Sequence, residues 1–249
     1  MKKWLSRLLR SGQSEPEACP SLVTDLHSHL LVGLDDGAAT EDEALHMIRG
    51  LAELGYRKAI TTPHIHHDLF NNTVEGITDG LNHVRRLLRH HQIAFEVHAA
   101  AEYFLDDFFL RQLDRNALLS FGERYVLFEL PYSSRPIMLD EVVFKMNLAN
   151  YKPVLAHPER YPYLFDPNLS AYRELKNIGV FLQLNLASLT GVYGPVVRRA
   201  ARALVAAGLV DFAGTDLHKP AGLDVLQQVK KLPEYLQLLR NNPLRNDEL

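Results

Sequence analysis

The 249 residues are 47% hydrophobic, enough apolar material for one α/β barrel or for two smaller domains. Lys and Arg number 27 against 30 Asp and Glu, a formal charge of −3 with no basic or acidic tail, which excludes bulk attraction of nucleic acid. A single cysteine, Cys19, excludes an internal disulfide and fits a reducing, cytoplasmic setting.

The chain opens on MKKWLSRLLRSG, in which Lys2, Lys3, Arg7 and Arg10 alternate with Trp4, Leu5, Leu8 and Leu9 at helical spacing. The stretch is too short to span a bilayer and lacks the apolar core and cleavage site of a signal peptide. It reads as an extension that frays or packs on the body, in preference to a membrane or partner contact through residues 1–12. Residues 11–21, SGQSEPEACPS, read as a linker, so residues 1–20 are set apart from one domain over 21–249.

Seven runs rich in aliphatic and β-branched residues follow: SLVTDLH (21–27), KAITTPH (58–64), FEVHAAAEY (95–103), YVLFELP (125–131), KPVLAHP (152–158), GVFLQLN (179–185) and LVDFAGTD (209–216). The third is the least clean, because its Ala run also suits a helix. Between them lie helical segments. TEDE at 40–43 has the form of a capping box, and Gly55 stands where that helix should stop. Gly179 and Gly208 close later helices in the same way. Residues 73–91, 105–119, 138–150, 167–178, 194–207 and 222–240 complete the alternation. Seven strand-helix units favour a closed or nearly closed parallel barrel, with a doubly wound sheet as the other solution.

Chemistry collects at one end of each strand. The first run ends in His27 and His29, the second in His64, the third in Glu102, the fourth in Glu129 and the fifth in His157. The sixth ends in Gln183 and Asn185, and the seventh in Asp216 and His218. In a parallel barrel these C-terminal ends share one face, where the sites of such folds are built. Residues at i and i+2 of a strand point the same way, so His27 and His29 can address one point, as can Asp216 and His218. Imidazole with carboxylate is the ligand set of Zn²⁺, Mn²⁺ or Fe²⁺, whereas Mg²⁺ or Ca²⁺ takes oxygen alone. Taken singly each piece has a plainer reading: H-x-H as a hydrogen-bonded pair, Glu129 as the partner of an arginine, Asp35 and Asp36 as an Asx turn before Gly37. Taken together they read as a transition-metal cluster. A cysteine-based phosphatase is excluded, because Cys19 precedes the first strand and no C-x5-R loop follows it.

The segments DLHSHLLVGLDDGAAT, ITTPH, AAEYFLDDFF, LFELPY, VLAHPERY, FLQLNLASLTGVYG and FAGTDLH resemble the PHP (polymerase and histidinol phosphatase) superfamily, most closely its bacterial tyrosine-protein phosphatase branch of capsule and exopolysaccharide synthesis. The likeness covers residues 24 to about 218 and leaves residues 1–20 outside. It implies a distorted (β/α)7 TIM-like barrel holding up to three divalent metals, usually manganese, with Fe²⁺ or Zn²⁺ as alternatives. The implied ligands are His27, His29, Asp36, His64, Glu102, Glu129, His157, Asp216 and His218. The motif favours Asp36 over Asp35, which is left a supporting role with Asp25. Arg160, in HPER, matches a phosphate-binding arginine. Some relatives carry a second arginine soon after the D-x-H element, where this chain has Lys219 and then PAGLD.

Four carboxylates against three divalent ions leave a net positive centre suited to a phosphate dianion. Metal coordination lowers the pKa of water toward ~7 and supplies hydroxide at neutral pH. A phenolate leaving group, of conjugate-acid pKa about 10, needs little help from a general acid. Phe70, Tyr103, Phe104 and Tyr132 are candidates for a slot around the substrate ring, and Arg135 is a weaker phosphate candidate beside Arg160 and Lys219. The implied activity is hydrolysis of phosphotyrosine on a protein, the partner being a bacterial tyrosine kinase of polysaccharide synthesis. The other readings are a histidinol-phosphatase-like or exonuclease-like member of the superfamily, and a metal-binding regulator of a kinase.

Overall fold

The computed structural model describes residues 21–249, so the amphipathic stretch at 1–12 and Cys19 lie outside the described residues. Among the described residues nine strands alternate with helices: β1 (Thr24–Leu26), α1 (Glu41–Glu53), β2 (Lys58–Thr61), β3 (His64–Ile65), α2 (Val74–His90), β4 (Glu96–Ala99), β5 (Glu102–Phe104), α3 (Asp107–Asp114) and β6 (Tyr125–Glu129). Then come α4 (Leu139–Leu148), β7 (Lys152–Ala156), α5 (Ser170–Asn177), β8 (Phe181–Asn185), α6 (Pro195–Ala206), β9 (Phe212–Gly214), α7 (Gly222–Val229) and α8 (Pro233–Asn241). Every ladder is parallel, in the orders β1-β2-β4 and β3-β5-β6-β7-β8-β9.

The nine strands make seven staves. β2 and β3 are one stave interrupted at Thr62 and Pro63, where proline offers no N–H to the ladder. β4 and β5 are another, interrupted at Ala100 and Ala101, the residues that blurred the third run. Hydrogen bonds Ala100 N to Thr61 O (2.9 Å) and Glu102 N to Pro63 O (3.1 Å) keep the broken staves in register. The seam is made by the first and last staves: Asp216 N donates to His27 O at 2.7 Å, His29 N donates to Leu217 O at 2.9 Å, and Ser28 bridges Leu217 in parallel. The result is the distorted α/β barrel expected from the sequence.

Leu26, Ile60, Leu127, Val154, Ala156 and Phe212 fill the barrel interior, with Phe121, Tyr125 and Leu249 below them. The alternate residues, such as Val126, Phe128, Leu155, Leu182 and Leu184, face the helices. Thr40 caps α1, its hydroxyl accepting from Glu43 N (3.2 Å), while the Glu43 carboxylate reaches back to Ala39 N (2.9 Å). Gly55 ends the segment at φ 93°, a conformation costly for any residue with a Cβ.

Two helical expectations change. Residues 105–119 yield only the eight residues of α3, since Asp106 and not Leu105 caps it and Asn116 turns left-handed at φ 52°. Residues 222–240 are two helices, α7 and α8, because Pro233 starts a new helix and cannot continue the old one.

Candidate metal centre

Regular alternation would place some of the candidate side chains on the wrong side of the sheet. Leu26 and Ala156 point into the barrel, so His27 and His157 should face the helices. Both instead adopt positive φ, 89° and 35°, which turns their imidazoles over the barrel mouth; Asp216 does likewise at φ 50°. Such conformations cost of order 1–3 kcal/mol each for a residue with a side chain. Close approach of the backbone is also needed. A Cβ on Gly214 would overlap Leu26 O and lie 2.8 Å from His27 Cβ, and one on Gly37 would overlap His29 Cβ and O.

Glu102 is the hub. Its carboxylate lies 2.9 Å from His27 Nε2, 2.9 Å from His157 Nε2, 3.2 Å from His64 Nδ1 and 3.6 Å from His29 Nε2. Asp216 Oδ1 stands 3.3 Å from both His27 Nε2 and His218 Nδ1, and Asp36 Oδ1 3.3 Å from His218 Nε2. Four overlapping groups have ligand atoms close enough to share an ion: His29, Asp36, His64 and His218; His27, His29 and Asp216; His27, Glu102 and His157; His64, Glu102 and Glu129. The structure thus brings all nine expected ligands together.

The surrounding hydrogen bonds leave lone pairs facing inward. His27 Nδ1 donates to Gln183 Oε1 (2.8 Å), His29 Nδ1 to Asp35 Oδ2 (2.6 Å) and His218 Nδ1 to Asp216 O (2.9 Å). Each donation places the lone pair of the other nitrogen toward the carboxylates. His29 Nε2 is buried and has no hydrogen-bond partner, the mark of a nitrogen oriented to bind a cation. The donor set therefore fits a transition metal.

Electrostatics agree. Burial opposes charge on His27, yet Glu102 and Asp216 overcome it and raise the imidazole to about 9. Burial likewise opposes charge on Glu102, but the surrounding histidines hold its carboxyl well below the ordinary range. Burial, then the nearby Glu102, pushes Glu129 up to about 8. Without metal, protons must take the place of cations among these groups.

Arg160 closes one side. Its Nη1 bonds Asp216 Oδ2 at 3.1 Å, and its guanidinium lies 5.3 Å from the Tyr132 ring centre and 4.6 Å from that of Tyr193. A cup of about 240 Å³ is bordered by ligands, Arg160, Phe70 and Tyr132. Tyr132 stacks on His157 and Phe70 on His64.

Other aromatic expectations are corrected. Tyr103 is buried in the core, edge-on to Phe109, and its hydroxyl accepts from Leu119 N at 2.8 Å, so it cannot meet a substrate. Its neighbour Phe104 stacks on His66 at 4.1 Å, one layer behind the cup. Arg135 is paired with Asp140 at 2.6 Å. Lys219 lies near the site with Nζ on Gly37 O (2.7 Å) and 3.7 Å from Glu43.

Further residues support the site: Gln183 and Asn185, expected on this face without an assigned role, and Tyr193 and Glu159, which were given none. Asn185 Nδ2 donates to Asp216 Oδ2 (2.7 Å) and to Tyr193 OH (3.3 Å), tying the ring beside Arg160 to a candidate ligand. Glu159, buried and raised by that burial to about 7, accepts from Asn185 N and Ser188 Oγ. The signal for Gln183 and Asn185 was their place at a strand end; Tyr193 had none.

The model of the capsular polysaccharide synthesis family CpsB/CapC matches residues 23–224. The tyrosine-protein phosphatase YwqE of Bacillus subtilis is 28% identical over 197 residues, 79% of this chain and 77% of its own. The tyrosine-protein phosphatase CpsB of Streptococcus pneumoniae is 24% identical over 202 residues, 79% and 83% of the two chains. A crystal structure from work on these two proteins, described as metal-dependent tyrosine phosphatases, superposes with TM-score 0.73 at 26% identity and covers 89% of this chain and 96% of its own.

Proposed function

The chain belongs to the CpsB/CapC family of capsular polysaccharide synthesis, and on that premise we propose that it is a metal-dependent protein-tyrosine phosphatase. The observation that carries this reading is the convergence of five imidazoles and four carboxylates on one barrel mouth with Arg160 at its rim. The ligands are His27, His29, Asp36, His64, Glu102, Glu129, His157, Asp216 and His218, holding up to three divalent ions, with Mn²⁺ the expected metal and Fe²⁺ or Zn²⁺ alternatives. Bound metal supplies Lewis acidity and lowers the pKa of coordinated water toward ~7.

The protein's own groups do the rest. Arg160 exchanges its bond to Asp216 for an equatorial phosphate oxygen, and the Tyr132 and Tyr193 rings keep its guanidinium plane in place. Tyr132 and Phe70 border the space for the substrate ring. Asp35, Gln183 and the Asp216 carbonyl keep the imidazoles in the metal-binding tautomer. The departing phenolate demands little protonation, which suits a cup whose carboxylates are committed to ligation. The substrate is a phosphotyrosyl protein, the leading candidate being a tyrosine kinase of capsular or exopolysaccharide synthesis.

One assay tests the reading: hydrolysis of p-nitrophenyl phosphate and of a phosphotyrosine peptide, with histidinol phosphate as control. Turnover should require Mn²⁺ and be lost on chelation and in His27→Ala. Full activity in EDTA, once metal analysis shows empty protein, would refute metal dependence. Preference for histidinol phosphate would refute the substrate.

A further inference from the structure

Beside the cup lies a second, larger concavity of about 600 Å³. The two share Asp36, Arg160, Asp216 and His218 as a common wall, so whatever occupies the cup has the cleft as its neighbour. Their chemistry differs. The cup is lined mainly by ligands, whereas the cleft runs between α7, which gives Val225 and Leu226, and the segment after β8, which gives Ala187, Val192 and Tyr193, over Leu217. Val192 is 58% and Tyr193 38% exposed, apolar and aromatic surface held open to solvent at the edge of a polar site.

We propose that this cleft is a binding subsite for the polypeptide around the phosphotyrosine, and that it takes an apolar side chain neighbouring the phosphorylated residue. The inference rests on the phosphatase reading and adds a sequence preference to it. Three observations point to this occupant. The shared wall sets the cleft directly beside the cup, so residues flanking a phosphotyrosine whose phosphate sits against Arg160 lie within reach of it. Its volume, several times that of one side chain, suits a peptide segment and exceeds what a small phosphate ester needs. Arg160 and Lys219 on its border are offset by Asp36 and Asp216, so the charges favour neither sign of flanking residue and leave hydrophobic contact with Val192, Val225 and Leu226 as the source of selection.

Tyr193 joins the two spaces. It lines the cleft, stacks on Arg160 and receives the Asn185 amide, so a side chain packed against its ring also fixes the face on which the guanidinium rests. A peptide filling the cleft should therefore be selected in kcat/KM and not only in binding.

The test uses the full chain loaded with Mn²⁺ and two phosphotyrosyl peptides identical except for Leu or Gly on either side of the phosphotyrosine. The parent should favour the Leu peptide by about tenfold in kcat/KM, the scale of an apolar side chain in a pocket. Val225→Glu and Val192→Glu place a charge on opposite walls, and the preference should fall to about twofold or less in at least one of them. Val192 is largely exposed, so that variant should fold like the parent. No preference in the parent, or a preference kept in both variants, overturns the subsite. If the parent fails to hydrolyse p-nitrophenyl phosphate, the phosphatase reading itself fails, a separate outcome from hydrolysis without selectivity.

Discussion

Asp35 and Asp36 stand side by side in the sequence and have opposite duties. Asp36 turns its carboxylate to His64 and His218, whereas Asp35 accepts from His29 Nδ1, from His64 N at 3.0 Å and from Gly37 N at 2.9 Å. Those bonds hold the Asp35 carboxyl well below its usual range against the burial that would raise it, so it is ionised where it meets His29. Asp35→Asn removes that charge while keeping the shape, and Mn²⁺ affinity should fall about 10–100-fold by calorimetric titration, the usual cost of losing such a support. An unchanged affinity would show that Asp35 is only the turn residue its D-D-G context allows.

Among the elements, the first stave shows how local geometry and site conflict. Its alternation is legible from the sequence, and His27 and His29 do address one point. The left-handed turn at His27 was not legible, because only the seam against β9 and the bond from His27 N to Ile60 O force it. Gly214 is the counterpart on the last stave: it lets that strand approach Leu26 O and the Gln183 side chain. Gly214→Ala should lose about 3 kcal/mol of stability in urea unfolding, the upper range for overpacking a tight core. A loss under about 1 kcal/mol would mean the staves can part without cost. The helices were read to within a few residues wherever Thr40, Gly55, Gly179 or Gly208 marked an end. The exception at Pro233 had its signal in plain view, outweighed by an apolar period that runs through α7 and α8 alike.

At the scale of the molecule, closure of the barrel decides whether a site exists at all. The top of the seam is held by ligand backbone, and the bottom by Asn246, fully buried, whose amide donates to Thr24 O (3.1 Å) and Ala213 O (2.7 Å) while its oxygen accepts from Ala213 N (2.9 Å). Asn246→Ala leaves those strand groups unpaired and should cost about 3 kcal/mol. It should also weaken Mn²⁺ binding, since His27 and Asp216 ride on the two strands it joins. Loss of stability with intact metal affinity would show that the upper bonds close the seam alone. Among the described residues no helix is long and apolar enough to cross a membrane.

The sequence by itself determined which groups stand at the strand ends and in what order. These follow from the strand-helix pattern and the chemistry of imidazole and carboxylate, both local properties, whereas the meeting of His27 with His29 needed the left-handed turn at His27 that the strand period does not supply. Tertiary structure alone decided that Glu102 would be the hub of four imidazoles and that Tyr103 would turn to the core while Tyr132 faced the cup. It alone set Tyr193 beside Arg160 and opened a cleft between α7 and the segment after β8. Such facts depend on distances between residues far apart in the chain. Those distances are set by packing and barrel closure, for which neighbouring residues carry no periodic signal.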